Sequence, residues 1–390
     1  MPGAPSAPVD EVVTTALVNF FEANPVGHVI EALHYALGYR RADLTLHLAV
    51  LLNAAAPTEL ASLCPFLDAA YAVRLPPATE HDVLSALAYV PVGWDFVLDN
   101  DRRYVPAHTA AVPDVARYFA TADRYFQVRR EHTVLGRSGL PYVPHQQLQL
   151  ELPKDQRRRA QVRLSAGQPR LAVLLAGSGE RWLYPSVSSW ELILRAFQDR
   201  YPNAAVCFMG KLHHDDRTSS TLRPAELARL RTACPRAVDG FDLPLVDQLA
   251  LVEACDVFVS AHSGFGMAAL AVGTPWLTLS GGRWPEFFFN QVPFYSVLPD
   301  PDRFPCYTAF AQAAVLPSDE DGEGPRAPSM CRARILADLD ALLAAADLLI
   351  ERRLDYAEAL EQHFGRLVRF WRGDRSRIWS IDGVHQAYVS

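Results

Sequence analysis

The stretch from Cys255 to Glu286, CDVFVSAHSGFGMAALAVGTPWLTLSGGRWPE, narrows most what this chain can fold into. Asp256 to Ser260 is a short apolar run of strand type. A small-residue loop follows, Ala261-His262-Ser263-Gly264-Phe265-Gly266, and then Met267 to Val272 favours a helix. Gly273 can end that helix, and Pro275 to Leu279 reads as the next strand. Glycines stand where the backbone must come close to something. A helix start leaves N–H groups without internal partners and carries the positive end of the dipole, so such a loop suits a phosphate. The alternative is a tight turn that only packs helix on sheet, and the loop by itself does not decide between them.

The rest of the chain extends the same pattern. Asn24-Pro25-Val26-Gly27-His28 is a turn cluster between an apolar run, Val12 to Phe21, of strand or short-helix type, and a helix over Val29 to Leu37. Thr45 to Leu52 reads as a buried strand, Ala54 to Leu63 as a helix and Ala69 to Leu75 as a strand. Asp82 to Ala88 reads as a helix, and Asp95 to Leu98 as a strand that ends in Asp99-Asn100-Asp101. The stretch 105–150 holds many Tyr, Pro and His residues without a sustained period. Glu151 to Arg163 is a polar, Arg-rich helix leading into a second series. There, strands at Leu171 to Leu175 and Ala205 to Met209 alternate with helices at Ser189 to Arg200, Ala225 to Cys234 and Pro244 to Ala254. Asp300 to Arg326 reads as loop and Ile335 to Glu361 as one long helix, extended by Phe364 to Trp371. Two successive strand–helix series predict an α/β protein with two Rossmann-like parallel-sheet domains, residues 1–165 and 166–345, and a helical tail over 346–390 that crosses back toward the first domain. A length of 390 residues agrees with two cores.

Charge and cysteines exclude other classes. A net charge of −7, with no basic block, argues against nucleic acid as a partner. The six cysteines are scattered, without a C-x-x-C pair, and several lie in apolar runs. Buried thiols in a cytoplasmic protein are expected, rather than disulfides or zinc. The first residues lack a basic region and a long apolar run, so no signal peptide and no transmembrane segment are expected.

In their order, the motifs resemble GT-B glycosyltransferases, and most of all the bacterial heptosyltransferase family. The residues that carry this are Gly27-His28; Gly177-Ser178-Gly179 with Arg181-Trp182 and Pro185; Asp239-Gly240-Phe241 before the Pro244 helix; and His262-Ser263-Gly264 before Met267-Ala268-Ala269. They span roughly residues 20 to 285. Three positions depart from the family: His28 and His262 stand where it has acidic residues, and Met267 where it has a histidine. Gly27-His28-Val29 is closer to the Gly-His opening of a second GT-B family, which glycosylates natural products.

The resemblance implies an enzyme: a metal-independent, inverting transfer of a sugar from a nucleotide-diphosphate donor, held by the second domain, to a hydroxyl of a small-molecule or glycolipid acceptor, held by the first. It needs no metal or other cofactor, and a homodimer is left open. His28 is the candidate general base, since imidazole suits proton abstraction near neutral pH and a positive helix start disfavours a further charge. Asp99 and Asp101 are candidates to orient it. Donors for the leaving diphosphate are sought in Gly177, Ser178, Gly179, Arg181, Lys211, His262, Ser263, Gly264, Phe265 and Gly266. Phe241 or Trp182 is placed to stack on the base, and Glu286 to hold sugar hydroxyls. Asp99-Asn100-Asp101 also matches the D-x-D metal motif of GT-A enzymes, although the second half fits GT-B. His213-His214-Asp215-Asp216 carries ligand-type side chains, but adjacent residues rarely converge on one ion. No G-x-G-x-x-G follows the first strand with an acidic residue some twenty positions on, which counts against a dehydrogenase. Two alternatives share the fold: a sugar-nucleotide epimerase or hydrolase, and an inactive scaffold, the second kept open by the changes at 28, 262 and 267.

Overall fold

The computed structural model describes residues 13–21, 25–74, 85–91, 93–99, 131–132, 140–143, 146–164, 167–177, 179–214, 219–280, 290–304 and 316–375. The first half begins with β1 (Thr15–Phe20), α1 (Val26–Ala42) and β2 (His47–Asn53). A 3-10 turn over Thr58–Leu63 leads to β3 (Ala69–Val73), followed by β4 (Phe96–Asp99) and β5 (Glu131–His132). These strands form one parallel sheet in the order β3-β2-β1-β4-β5. The ambiguous run at 12–21 is a strand because its apolar residues alternate between two buried clusters, Ala16, Val18 and Phe20 in one and Leu17 and Phe21 in the other.

A linking helix, α2 (Lys154–Arg163), is followed by the second series. This runs β6 (Arg170–Leu174), α3 (Val187–Arg200), β7 (Ala205–Met209), α4 (Pro224–Ala233), β8 (Val238–Asp239) and α5 (Leu245–Glu253). It continues with β9 (Val257–Ala261), α6 (Gly264–Leu270), β10 (Trp276–Leu279) and β11 (Phe294–Val297). The second sheet is also parallel, in the order β11-β10-β9-β6-β7-β8. Strand order reverses between β1 and β4 in the first sheet and between β6 and β9 in the second. In open α/β sheets, ligands collect beyond the strand ends at such points.

The two halves are tied together by packing and by a crossing segment whose leucines, Leu148, Leu150 and Leu152, are buried. Ordered chain from Gln146 to Leu152 runs between them. Its Glu151 N–H donates to the Leu63 carbonyl of the first half, and its Leu150 N–H donates to Ala271 of the second, each at 2.9 Å. Buried Asn290 holds the same segment: its Oδ1 accepts from Leu148 N–H at 2.6 Å, and its amide donates to the Leu148 and Leu270 carbonyls at 2.9 and 2.6 Å. An arginine fork fastens α2 to α5, Arg157 meeting both oxygens of Glu253 at 2.7 and 2.8 Å.

Three expectations need correction. The helix expected over 54–63 is only the 3-10 turn at Thr58–Leu63, with Pro57 directly before it. The long C-terminal helix is two: α7 (Arg332–Ile350) and α8 (Tyr356–Phe370). Arg352 takes a left-handed conformation, φ 54°, and Asp355 opens α8 with a capping box. Asp355 accepts from Glu358 N–H at 2.9 Å, and Glu358 accepts from Asp355 N–H at 3.2 Å. Part of the expected loop is also ordered by its carboxylates: Asp321 accepts from the Ser186 hydroxyl, while Glu323 accepts from the Val187 and Ser188 amides at the start of α3. α8 lies against β11 of the second sheet, with the Phe294 ring 6.4 Å from Tyr356 and 5.4 Å from His363. The rest of the tail, beyond residue 375, lies outside the described residues, as do most of the stretch 105–150 and part of the helix expected at 82–88.

Cys64, Cys207, Cys234 and Cys255 are buried free thiols and Cys331 is partly buried; Cys306 lies outside the described residues. Burial pushes the thiols of Cys64 and Cys207 up to about 12, so neither is a nucleophile at neutral pH. None of the described helices is long and apolar enough to cross a membrane.

Candidate functional site

A cavity of about 440 Å³ opens where the two halves meet. That volume lies within the usual range for small-molecule sites, roughly 300–1,000 Å³. Its second-half wall is made by the end of β6 (Leu174, Ala176, Gly177), the end of β7 (Gly210, Lys211) and the loop into α6 (Ser263, Gly264, Phe265). Pro244 and Leu245 bring the start of α5 to it, and Pro25 and Val26 of the first half bring the start of α1. Three helix starts and two strand ends therefore converge at the reversal point between β6 and β9. The positive ends of the helix dipoles and the Lys211 ammonium give this end of the cavity an anion-binding character. Glu59, also from the first half, is the acidic group on the wall.

The glycines of the opening motif have separate tasks. A Cβ on Gly264 would lie 2.5 Å from the Gly27 nitrogen and 2.9 Å from its Cα, so this pair lets the starts of α1 and α6 touch. A Cβ on Gly266 would sit 2.1 Å from the Trp276 indole, so this glycine makes room for a core tryptophan. The packing explanation therefore accounts for Gly266, while Gly264 both packs and lines the cavity. Ser263 is the N-cap of α6: its Oγ accepts from Gly266 N–H at 3.3 Å. Phe265 packs its ring 5.5 Å from Phe258 and reaches the cavity.

His262 stands just before this cap. Its Nδ1 is shut off from solvent, its ring lies 5.9 Å from the Trp276 ring, and burial lowers its pKa to about 4. It is a neutral imidazole at physiological pH, so what it offers is a hydrogen bond, not a charge. It is not among the residues lining the cavity.

The Gly177–Gly179 loop folds over Tyr184. Cβ atoms on Gly177 and Gly179 would lie 2.7 and 3.0 Å from the phenol oxygen. Arg181, expected to reach the diphosphate, instead forks onto Glu226 at 2.5 and 3.2 Å and donates to the Thr221 carbonyl at 2.6 Å. Its guanidinium fastens the loop to the start of α4. Trp182 packs beside the small cluster of Tyr184, Ala327 and Met330. Phe241 is buried, tilted against Phe208 at 6.5 Å, and occupies the space beside Gly210. Gln248 braces this corner: its Oε1 accepts from Gly210 N–H at 3.1 Å and its amide donates to the Gly210 carbonyl at 3.2 Å.

His28 stands two residues past Val26 in the first turn of α1, with 24% of its side chain exposed. Its Nδ1 lies 3.4 Å from Glu31 Oε2, and Glu31, itself buried, accepts from the Tyr35 hydroxyl at 2.8 Å. The carboxylate beside His28 is thus Glu31. Asp99 ends β4, paired with Asn19 of β1, and its side chain is not described. Ser178, Asp101 and Glu286 lie outside the described residues. His213 Nδ1 lies 2.7 Å from Asp242, and its neighbours 215 and 216 are not described.

Sequence reasoning missed Glu31, Glu59, Tyr184 and Gln248. Of these, only Glu31 had a readable signal: three positions after His28, on a helix, is one turn onward and on the same face. Tyr184 and Gln248 reach the site through the path of the chain, which no local pattern encodes.

Neither a protein-family model nor a curated protein matches the sequence. Solved structures do resemble the fold. A family 9 glycosyl transferase from Veillonella parvula DSM 2008 aligns with a TM-score of 0.55 at 12% identity, over 86% of this chain and 99% of that one. The Escherichia coli ADP-heptose LPS heptosyltransferase II aligns with a TM-score of 0.51 at 17% identity, over 85% and 99%. With the two parallel sheets, this likeness establishes the architecture as GT-B, the fold of those two transferases.

Proposed function

We propose that this GT-B protein transfers a sugar from a nucleotide-diphosphate donor to a hydroxyl of a small-molecule or glycolipid acceptor. The observation that carries the reading is the cavity at the β6/β9 reversal point, where the starts of α5, α6 and, from the opposite half, α1 meet Lys211. The nucleotide diphosphate occupies the second-half wall, with its phosphates toward Lys211 and the Ser263–Gly264 backbone. The acceptor approaches from the first half, on the side of His28 and Glu59. Its hydroxyl oxygen attacks the anomeric carbon and His28 takes the proton. The bond from that carbon to the diphosphate oxygen breaks, and its electron pair leaves with the nucleoside diphosphate. Glu31 orients the imidazole through Nδ1 and stabilises the imidazolium that forms, so Nε2 is the nitrogen that receives the proton. Attack from the face opposite the leaving group inverts the anomeric centre. Charge on the departing diphosphate is met by Lys211 and the helix starts, which takes the place a metal ion would have.

Thermal unfolding of the wild type against UDP, GDP, dTDP, ADP and CMP, without added metal, tests the donor site. A ligand held at a hundred times its dissociation constant adds about 2.7 kcal/mol to stability. One nucleotide is expected to raise the midpoint by several degrees, and Lys211→Met to cut that rise by more than half. A panel that leaves the wild-type midpoint unmoved rejects the donor site.

A further inference from the structure

Beneath the Gly177–Gly179 loop, the Tyr184 phenol is 8% exposed and borders the cavity. The Gly179 amide donates to its oxygen at 3.3 Å. An N–H donor on the phenol oxygen fixes its position and polarises its own O–H, because successive hydrogen bonds strengthen one another. Among the described residues, no acceptor is seen for that proton. A buried hydroxyl proton without an acceptor is costly, and an acceptor inside the cavity removes the cost. The ring is held by Ala176, Ala261, Ala327 and Met330, which leaves it little freedom to turn away. Burial also raises its pKa, so the group is a neutral donor at neutral pH. The two glycines follow from this placement, since a side chain at either would strike the phenol oxygen.

We propose that the Tyr184 hydroxyl is a ligand-binding donor: it gives its proton, as a hydrogen bond, to a phosphate oxygen of the diphosphate in the cavity, opposite Lys211. This assignment rests on the nucleotide-sugar reading above. Within it, Gly179 binds the anion indirectly. Its amide holds the phenol, and the phenol holds the phosphate.

Tyr184→Phe removes one oxygen and keeps the ring. Calorimetric titration of the wild type and this variant would use three ligands that share one base: the nucleoside diphosphate of highest affinity, its monophosphate and its nucleoside. Pyrophosphate alone is the fourth probe. A lost hydrogen bond to a charged oxygen predicts a Kd for the diphosphate and for pyrophosphate about 10-fold weaker or more, with nucleoside affinity unchanged. An unchanged diphosphate Kd overturns the proposal, and so does an equal loss for all ligands, which marks a purely structural phenol. Wild type labelled at tyrosine Cζ gives a measurement that needs no variant. One buried resonance should shift with the diphosphate and not with the nucleoside, and no shift with either contradicts the assignment. If the wild type binds no nucleotide, the nucleotide-sugar reading fails separately. In that case, pyrophosphate binding lost in Tyr184→Phe keeps the phenol as an anion donor, and wild type blind to pyrophosphate removes it too.

Discussion

His28→Ala is expected to lower kcat for sugar transfer by about 10²–10⁴-fold and to leave the nucleotide Kd within about twofold of wild type. The split follows from where the residue sits. His28 is in the first turn of α1, two residues past the cavity-lining Val26 and not itself among the lining residues, so its loss removes the base and spares the donor site. Glu31→Gln keeps the shape of the buried side chain and its acceptor for the Tyr35 hydroxyl but replaces the carboxyl group beside Nδ1 with an amide. It should lower kcat by a smaller factor, with no change in nucleotide affinity. Glu59→Gln is the control, because it alters the carboxylate that does line the cavity. If Glu59→Gln abolishes turnover while His28→Ala retains it, the base is Glu59 and the role given to His28 is wrong. The measurement is steady-state release of nucleoside diphosphate with saturating acceptor.

The second large effect is expected at the contact between the halves. Gly264→Ala places a Cβ 2.5 Å from the Gly27 nitrogen, and backbone cannot give way as a flexible side chain can. α1 and α6 must move apart by roughly an ångström, at a cost of about 1–3 kcal/mol typical of overpacking. Because both helix starts form walls of the cavity, nucleotide binding should weaken as well as stability. Gly27→Ala is milder: its nearest neighbours are the Gly264 Cα at 3.0 Å and the adaptable Met267 sulfur at 3.2 Å. Gly266→Ala separates the two effects, since it strikes the Trp276 ring at 2.1 Å and destabilises the second half without touching α1. Thermal midpoints and nucleotide Kd values for the three variants check this ordering. A Gly264→Ala protein as stable and as tight-binding as wild type would mean that the helix contact does not shape the cleft.

The fold was largely legible because its signals are local. The runs at 171–175, 205–209 and 256–260 are apolar over strand length, flanked by glycines and helix patterns, and they became β6, β7 and β9. β11 was missed because Phe294-Tyr295-Ser296-Val297 is four residues long between loops, and it forms by pairing in register with β10. The break before α8 was written in Asp355-x-x-Glu358, but the Ala/Leu-rich run around it concealed the cap. The site was legible only in outline. Of the residues singled out in loops at strand ends, Gly177, Lys211, Ser263, Gly264 and Phe265 line one cavity. Partners are another matter. Arg181 is held by Glu226, 45 positions away in sequence, and His28 stands beside Glu31. A pattern read along the chain cannot weigh a half-buried ion pair against a phosphate, because that contest is decided by neighbours brought in from elsewhere.

Transfer across the cleft is checked by release of nucleoside diphosphate from sugar nucleotides, with and without hydroxyl acceptors. One sugar nucleotide should be consumed, release should rise at least tenfold with a suitable phenol, alcohol or glycolipid, and the sugar should appear on that acceptor with inverted anomeric configuration. Release at the same rate without any acceptor would point to a hydrolase or epimerase on this fold. No consumption of any sugar nucleotide, by a protein whose cavity is intact, would contradict the account and leave a scaffold in its place.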